Sequence, residues 1–511
     1  MSTQALVNID PLPVRWAKVI DQTRCIGCHA CTTACKSENV VPLGVTRTYV
    51  KHVDVGVFPQ ARRAHQVTRC NQCANAPCVT ACPTSAMFKR ADGIVDFNKD
   101  ICIGCKACMA ACPYDAIFIN PEDHSAEKCN FCAHRIDMGL EPACVVVCPV
   151  EAILVGDMND ADSRVARIVG RDVVNVRRPE KETQPKLFYK GAHQATLDPL
   201  AARRPDGDLF MWSQQPVGAG IVNSGHPEHN NSSAAALLSY DVSHSIPWDW
   251  RVSLYTWTKG IAAGAYLVCA LLVVLRVIPA NDALWLWVAP VVSGALLAAT
   301  GGLLIWDLEH PARFLLIFTR PQWRSWLVRG AFVIAAYTLV LALHFAASLA
   351  GSTVVQRYLM IAGVPLAAMT AIYTAYLFAQ AKARDLWQSA LLPPHLFVQA
   401  LLVGSAALLP FAYYADAGVA PLAWLLSASS LIHLLLVWGE TTLAHPTAHA
   451  HLAVREMTRR RYAAFFWAGL ALTFLGAFAP FIELAAVPLA LAGLLLHEHA
   501  YVQAGQSVPL A

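Results

Sequence analysis

At 511 residues, 56% hydrophobic and only 14% charged, the chain is too long for one ordinary domain and too apolar overall for a soluble protein. Its net charge is +4 with no basic stripe, so nucleic acid is not an expected partner. Sixteen of the 17 cysteines precede residue 150, whereas Ala, Leu, Val and Phe dominate 254–502. The composition therefore divides the chain into a redox head and a membrane anchor.

Residues 1–19 read as an entry strand. No cleavable signal peptide is read at Met1–Trp16, so the thiols are expected to meet a reducing cytoplasm, where disulfides are rare. Four cysteine tetrads follow. Cys25, Cys28, Cys31 and Cys35 have C-x-x-C-x-x-C-x-x-x-C spacing, with Lys36 after the last. Cys70, Cys73, Cys78 and Cys82 have a longer second gap and end on Pro83. Cys102, Cys105, Cys108 and Cys112 repeat the first spacing and end on Pro113, the pattern of bacterial iron–sulfur ligation. In this loop Gly104 would let the backbone approach a cluster closely. Cys129, Cys132, Cys144 and Cys148 carry eleven residues between their two pairs and end on Pro149. A zinc ribbon is the rival reading of paired C-x-x-C motifs. It uses two pairs, however, and leaves no third cysteine at x-x spacing. The short G-I-V-D alternation at Gly93–Asp96 suits a small strand between motifs. The expected fold class is an α+β head of tandem bacterial-ferredoxin-like units.

Residues 20–195 resemble the four-cluster electron-transfer subunits of the dimethyl sulfoxide reductase and polysulfide reductase families. The matching text is C-I-G-C-H-A-C at 25–31, C-N-Q-C at 70–73, P-C-V-T-A-C-P at 77–83, K-C-N-F-C at 128–132, G-L-E-P-A-C at 139–144 and G-D-M-N-D at 156–160. The resemblance implies four [4Fe–4S] clusters. It also implies their ligation: Cys25, Cys28 and Cys31 with Cys148; Cys129, Cys132 and Cys144 with Cys35; Cys70, Cys73 and Cys78 with Cys112; Cys102, Cys105 and Cys108 with Cys82. The alternative pairs neighbouring motifs.

Residues 200–247, rich in Pro, Gly, Asn and Ser, read as a linker from head to bilayer, or as a wrap along a partner subunit. The expected domains are thus 1–199 for the head, 200–247 for the linker and 248–511 for the membrane part.

Eight apolar stretches follow at 254–275, 284–305, 327–350, 358–380, 393–414, 420–440, 462–480 and 482–502. Each is near the roughly 20 residues a spanning helix needs, so an all-α eight-helix transmembrane bundle is expected, its last two stretches forming a tight hairpin. The basic residues Arg313, Arg320, Arg324, Lys382, Arg384, Arg455, Arg459, Arg460 and Arg461 fall in loops on the head's side, against Arg276 and Arg357 opposite. Positive-inside then places the head on the cytoplasmic side of the bacterial inner membrane.

The membrane part resembles the NrfD/PsrC-type quinone-interacting anchors. The text is W-D-W-R-V-S-L-Y-T-W-T-K-G-I-A-A-G-A-Y-L at 248–267, W-D-L-E-H-P-A-R-F at 306–314, S-W-L-V-R-G at 325–330 and A-G-Q at 504–506. By this resemblance the chain relays electrons between a membrane quinone (menaquinone or ubiquinone) and a separate catalytic subunit carrying molybdenum or tungsten on a bis-pterin (molybdopterin) cofactor. Membrane lipid and the quinone pool are the other partners. Some related anchors hold heme with paired histidines, but His344, His395, His433 and His497 show no such spacing.

Charged groups inside a bilayer are costly and mark function by default. Lys259, on the face of Tyr255, is a candidate quinone ligand, the rival being a snorkelling lysine. Asp307 and His310 are candidate proton relays, the rival being a solvated salt-bridge cluster with Glu309 and Arg313. Tyr373 is a candidate donor. His433 and Glu440 share a helix face and form the next candidate. Gly260 and Gly264 read as a packing step, and Cys269 as a small buried hydrophobe. Two other functions compete: a proton-translocating redox module, for which Glu440, His433, Asp416 and Glu483 are too sparse a chain, and a ferredoxin-coupled oxidoreductase that uses the bundle only as an anchor.

Overall fold

The computed structural model describes residues 13–56, 59–203 and 236–511. The entry strand is β1 (Trp16–Asp21), so the first part of the stretch expected at 1–19 lies outside the described residues. Among the described residues the head contains eleven strands in four small sheets. β1 lies between β8 (Ile153–Asp157), which it pairs antiparallel, and β10 (Leu187–Lys190), which it pairs parallel, with β9 (Val174–Asn175) at the edge. β2 (Thr48–Val55) and β3 (Arg62–Arg69) form a hairpin in the register Thr48↔Arg69 to Val55↔Arg62. Two shorter hairpins, β4 (Met87–Lys89) with β5 (Val95–Phe97) and β6 (Ile117–Ile119) with β7 (Ala126–Lys128), each follow a cysteine motif. Short helices at Ala30–Glu38, Pro77–Ala81, Ala107–Ala111 and Ala143–Val146 carry the third cysteine of each tetrad, and the first of them Cys35 as well. They are too short to stand alone. The thiols themselves supply much of the core, where Cys70, Cys73, Cys78, Cys82, Cys102, Cys108, Cys112 and Cys129 pack with Met87, Val95 and Tyr114.

The stretch expected as a linker is partly built into the head. Residues 204–235 lie outside the described residues, but Ala236–Tyr240 is a strand, β11, that adds to β2 as the third strand of its sheet. The Arg203↔Leu237 bridge joins the two sides.

The membrane part is helical: α1 (Trp250–Val274), α2 (Leu284–Trp306, whose first turn is π-helical), α3 (Trp326–Leu349), α4 (Thr353–Gln380), α5 (Leu392–Ala415), α6 (Val419–Thr442), α7 (Ala463–Gly476) and α8 (Ala486–Gln506). Among the described residues seven candidate spans are long and apolar enough to cross a bilayer, the last running Ala479–Gln506. One of the eight expected stretches falls short. α7 has 14 residues, about 21 Å of helix against a hydrocarbon core of about 30 Å. It still reverses the chain, because Glu483, in the left-handed region at φ 47, turns it into α8. Gly469 and Gly476 then let α7 lie directly on α8, where an added Cβ would meet Gly493 O at 2.9 Å and Ala490 Cβ at 3.1 Å.

α1 is the central helix and mostly buried, whereas α2 lies toward the outside of the bundle and is mostly not buried. The Gly264 step expected to be a packing contact is one: Gly264 meets Gly404 and Ala400 of α5 backbone to backbone. Cys269 is fully buried in the same core. Trp424, Leu435, Trp438, Trp467 and Phe481 are exposed on the outside, as suits contact with lipid.

Candidate functional site

The tertiary fold gathers cysteines from distant motifs. Cys25 has Cys28 and Cys148 as electrostatic neighbours, and Cys31 has Cys25 and Cys148. Cys35 faces Cys129, Cys144 and Cys132, and the Asn39 amide reaches the sulfurs of both Cys35 and Cys132 at 3.7 Å. Cys73 and Cys78 adjoin Cys70 and Cys112. Cys82, Cys102, Cys105 and Cys108 line one cavity with Met87, Phe97 and Ala126. The sets also touch in a row: Cys108 neighbours Cys78, Cys70 neighbours Cys129, and Cys144 neighbours Cys31.

These thiols suit iron–sulfur clusters. Burial pushes Cys31 up to about 11 and Cys73 to about 12, so a thiolate there needs a positive group bound to it. Among the described residues no three thiols are gathered closely enough to share one ion. A single zinc at about 2.3 Å from each sulfur would draw them closer. Backbone amides point at several sulfurs, as Met87 N–H does at Cys82 (3.3 Å) and Ala152 N–H at Cys148 (3.2 Å). Cys144 is held differently from Cys31 and Cys73. Burial works against its thiolate, yet Arg69 and Lys18 hold it below the usual thiol range, and Arg69 Nη1 donates to its sulfur at 2.9 Å.

The set Cys82, Cys102, Cys105 and Cys108 sits against the membrane part. Trp248 Nε1–H donates to Cys105 O at 3.2 Å, Arg313 Nη1 donates to Lys99 O and Cys102 O, and His310 N–H donates to Ile103 O. Gly104 takes φ +67, and an added Cβ would stand 2.4 Å from Glu309 Cβ. The glycine thus serves the approach of the membrane part as well as the cysteine loop. At the other end of the row, Cys28 is exposed.

The candidate residues of the membrane part divide into two groups. Asp307 and His310 belong to the joint between head and bundle. Asp307 lies 3.6 Å from Lys106 and 3.7 Å from Arg251. Burial nonetheless raises it to about 6 against those two cations. His310 packs near His124 of the head, ring centroids 6.5 Å apart. Lys259, Tyr255 and Tyr373 lie deeper. Lys259 does not snorkel: it is 1% exposed, and its Nζ donates to Ala371 O at 2.9 Å and Thr374 Oγ1 at 2.7 Å, above the Tyr373 ring. Tyr255 adjoins Tyr373 and Thr374.

Several residues that no motif singled out are also here. Glu498 accepts from Thr256 Oγ1 at 2.8 Å and is the acidic group acting on Lys259. Glu498, Thr256, Phe378, His395, Gln399 and Tyr501 line a cavity between α1, α4, α5 and α8. Lys259 points to α4 and Glu498 rather than to α2. Glu498 was legible as an acid in an apolar run; its partner on α1 was not.

A ferredoxin-like head with buried thiol sets, docked on a bundle of membrane-spanning helices, defines a membrane-bound electron-transfer protein. A family model described as polysulphide reductase, NrfD matches residues 239–494; 4Fe-4S dicluster and 4Fe-4S binding domain models match 64–158 and 16–37. The chain belongs to the NrfD polysulphide reductase family, with an iron–sulfur head joined to it. Its head is similar to the B subunit of tetrathionate reductase from Salmonella typhimurium (45% identity, 37% of this chain and 77% of that protein). It is similar, too, to protein NrfC of Escherichia coli K12 (40%, 34% and 80%). The arsenate respiratory reductase iron-sulfur subunit ArrB of a Shewanella species is 35% identical (34% and 96%).

Proposed function

We propose that this chain is the electron-transfer and membrane-anchor subunit of a molybdopterin-dependent oxidoreductase. It would join a membrane quinone to a separate catalytic subunit, and the relatives named as subunits of reductases support that division of labour. The observation that carries the reading is the row of thiol sets, which runs from Cys105, bonded to Trp248, to exposed Cys28. Sixteen cysteines in four sets would hold four [4Fe–4S] clusters, each passing one electron at a time when bound. The catalytic partner then belongs at the Cys28 end and the quinone at the Cys105 end. The domain plan proposed is 1–199 for the head, 200–247 for the connection and 248–511 for the quinone-interacting anchor, with the head on the cytoplasmic side.

The quinone ring would enter the head-facing half of the bundle, with its tail in lipid. The residues proposed to serve it are Lys259, Tyr255 and Tyr373, with Glu498 across the cavity. Oxidising a quinol releases two protons, so the site needs a donor to hold the ring oxygen and an acceptor to take the proton. Lys259 offers the first and Glu498 the second. Asp307 and His310, at the joint, would pass protons out.

Metal analysis of the complex purified with its native partners tests the reading. It should show about 16 iron atoms per chain and one molybdenum or tungsten per co-purifying large subunit. The chain freed of that subunit should exchange electrons with quinol yet turn over no oxyanion, sulfur compound or formate. Substrate turnover by the freed chain would overturn the proposal.

A further inference from the structure

Three histidines from three helices meet inside the bundle. His395 on α5, His433 on α6 and His497 on α8 are 2%, 0% and 1% exposed. One ring nitrogen of each lies within 4.8 Å of the other two. Among the described residues they are the one group of His, Cys, Asp or Glu gathered closely enough to share an ion. His395 Nε2 is 2.9 Å from His433 Nδ1, and the Gln399 amide is 3.3 Å from His395 Nε2.

Hydrogen bonding within the cluster leaves it incomplete. His433 Nε2, His497 Nδ1 and Gln399 Oε1 are buried without a hydrogen-bond partner. Polar atoms buried unpaired in an apolar interior are costly, and a bundle in lipid has little water to offer them. The charge is incomplete as well. Glu440 is buried with His395 (3.6 Å from Nδ1) and the Tyr501 hydroxyl (3.3 Å) as its neighbours. Glu498, on α8 beside His497, is matched instead with Lys259. A carboxylate on one ring nitrogen of a histidine, with the other nitrogen turned to two more imidazoles, is the outer arrangement that orients histidines on a metal.

We infer that His395, His433 and His497 bind a single divalent transition-metal ion, zinc first. Gln399, whose amide nitrogen faces His395 Nε2 at 3.3 Å, supplies Oε1 as the fourth donor once that amide is turned over, and Glu440 is the carboxylate that orients His395. Imidazole suits zinc and copper, and a tetrahedral zinc bonds nitrogen at about 2.0–2.1 Å. That places ligand nitrogens roughly 3.3 Å apart, within the spacing the three rings already have. The ion would take one nitrogen from each ring and offset the buried carboxylate. The site borders the cavity assigned above to quinone but does not depend on that assignment, since its readout is metal content.

The test uses the full chain in its solubilised complex, stripped with a chelator and dialysed against zinc chloride. Zinc is then counted by mass spectrometry, and its neighbours are read by X-ray absorption at the zinc edge. One zinc per chain with a shell of nitrogen and oxygen and no sulfur is expected. His433→Leu should lose it, and Glu440→Gln should weaken it about 10- to 100-fold. The spectra of the iron–sulfur head report whether each variant is assembled. If His433→Leu fails to assemble, His497→Gln replaces it with the same expected loss. No zinc above background in the unmodified chain, a sulfur shell, or assembled variants that keep their zinc would each overturn the inference and leave a hydrogen-bonded histidine cluster.

Discussion

Trp248 donates its indole N–H to the carbonyl oxygen of Cys105 at 3.2 Å, so the residue that opens the membrane part is bonded to the backbone of a cluster-motif cysteine. The same ring stacks on Phe378 of α4 (centroids 5.9 Å) and on Trp387 (5.6 Å). The head is therefore seated on the bundle by packing and by a bond, not merely tethered to it.

Trp248→Ala should release that seat. Removing a buried Trp costs about 3–5 kcal/mol, and here much of it falls on the joint. Limited proteolysis should separate head from bundle in the variant, and electron transfer from quinol to the head should fall with it. Trp248→Phe keeps the stacking and should behave nearly as the unmodified chain. Equal protease resistance of all three forms would count against the docking role.

Arg69 is buried between two thiol sets, with Nη1 on Cys144. A fixed positive charge favours the reduced, more negative state of a neighbouring cluster. At about 4 Å and an effective dielectric of about 20 the interaction is about 4 kcal/mol, so Arg69→Met should lower that cluster's potential by on the order of 100 mV. A redox titration followed by electron paramagnetic resonance measures this, and an unchanged potential would separate Arg69 from the cluster.

His244 lies between β11 and α1 and carries the clearest pH effect. Burial pushes it down, but Asp241 at 3.1 Å and Asp115 at 2.5 Å outweigh that and raise it to about 9. Because the folded value is raised, its contribution is complete below about 6.5 and is lost as pH rises through 9. The stake is roughly 3 kcal/mol. The thermal stability of the head should fall as pH rises from about 7 past 9, and His244→Gln should flatten that dependence.

Lys259→Met keeps length and apolar bulk while removing the charge that Thr374 and Ala371 hold in place. The clusters should assemble, and their reduction by quinol should slow tenfold or more. Glu498→Gln removes the proton acceptor and should slow it as well. Rapid-mixing kinetics with wild-type rates in both variants would move the quinone site to the His433–Glu440 face.

The stretch after α8 returns to the head, where Arg384 donates to Gln506 O and Val508 O, and Arg177 of the head donates to Leu510 O. A reporter fused after Gln506 should therefore show the cytoplasmic form of its activity, and one placed near Asp416 the opposite. The same side from both would mean that α7 does not carry the chain across.

Much was settled by the sequence alone because it is local. Cluster motifs are short spacings within single loops, and spanning helices are runs of about 20 apolar residues; both can be read without knowing what lies opposite. At α7 that locality runs out, since apolarity marks a stretch but cannot say that the helix stops after 14 residues, at Gly476, ahead of the turn at Glu483. Contacts between elements were decided by the tertiary structure. Cys148 reaches Cys25 from a distant motif, Lys259 turns inward to Thr374, and His395, His433 and His497 converge from three helices. No spacing reveals the histidine group, because its ligands come from separate helices and their distances depend on how those helices are rotated and packed. Rotation is set by close approaches such as Gly264 on Gly404 and Gly469 on Gly493, where two absent side chains, far apart in sequence, fix the geometry together.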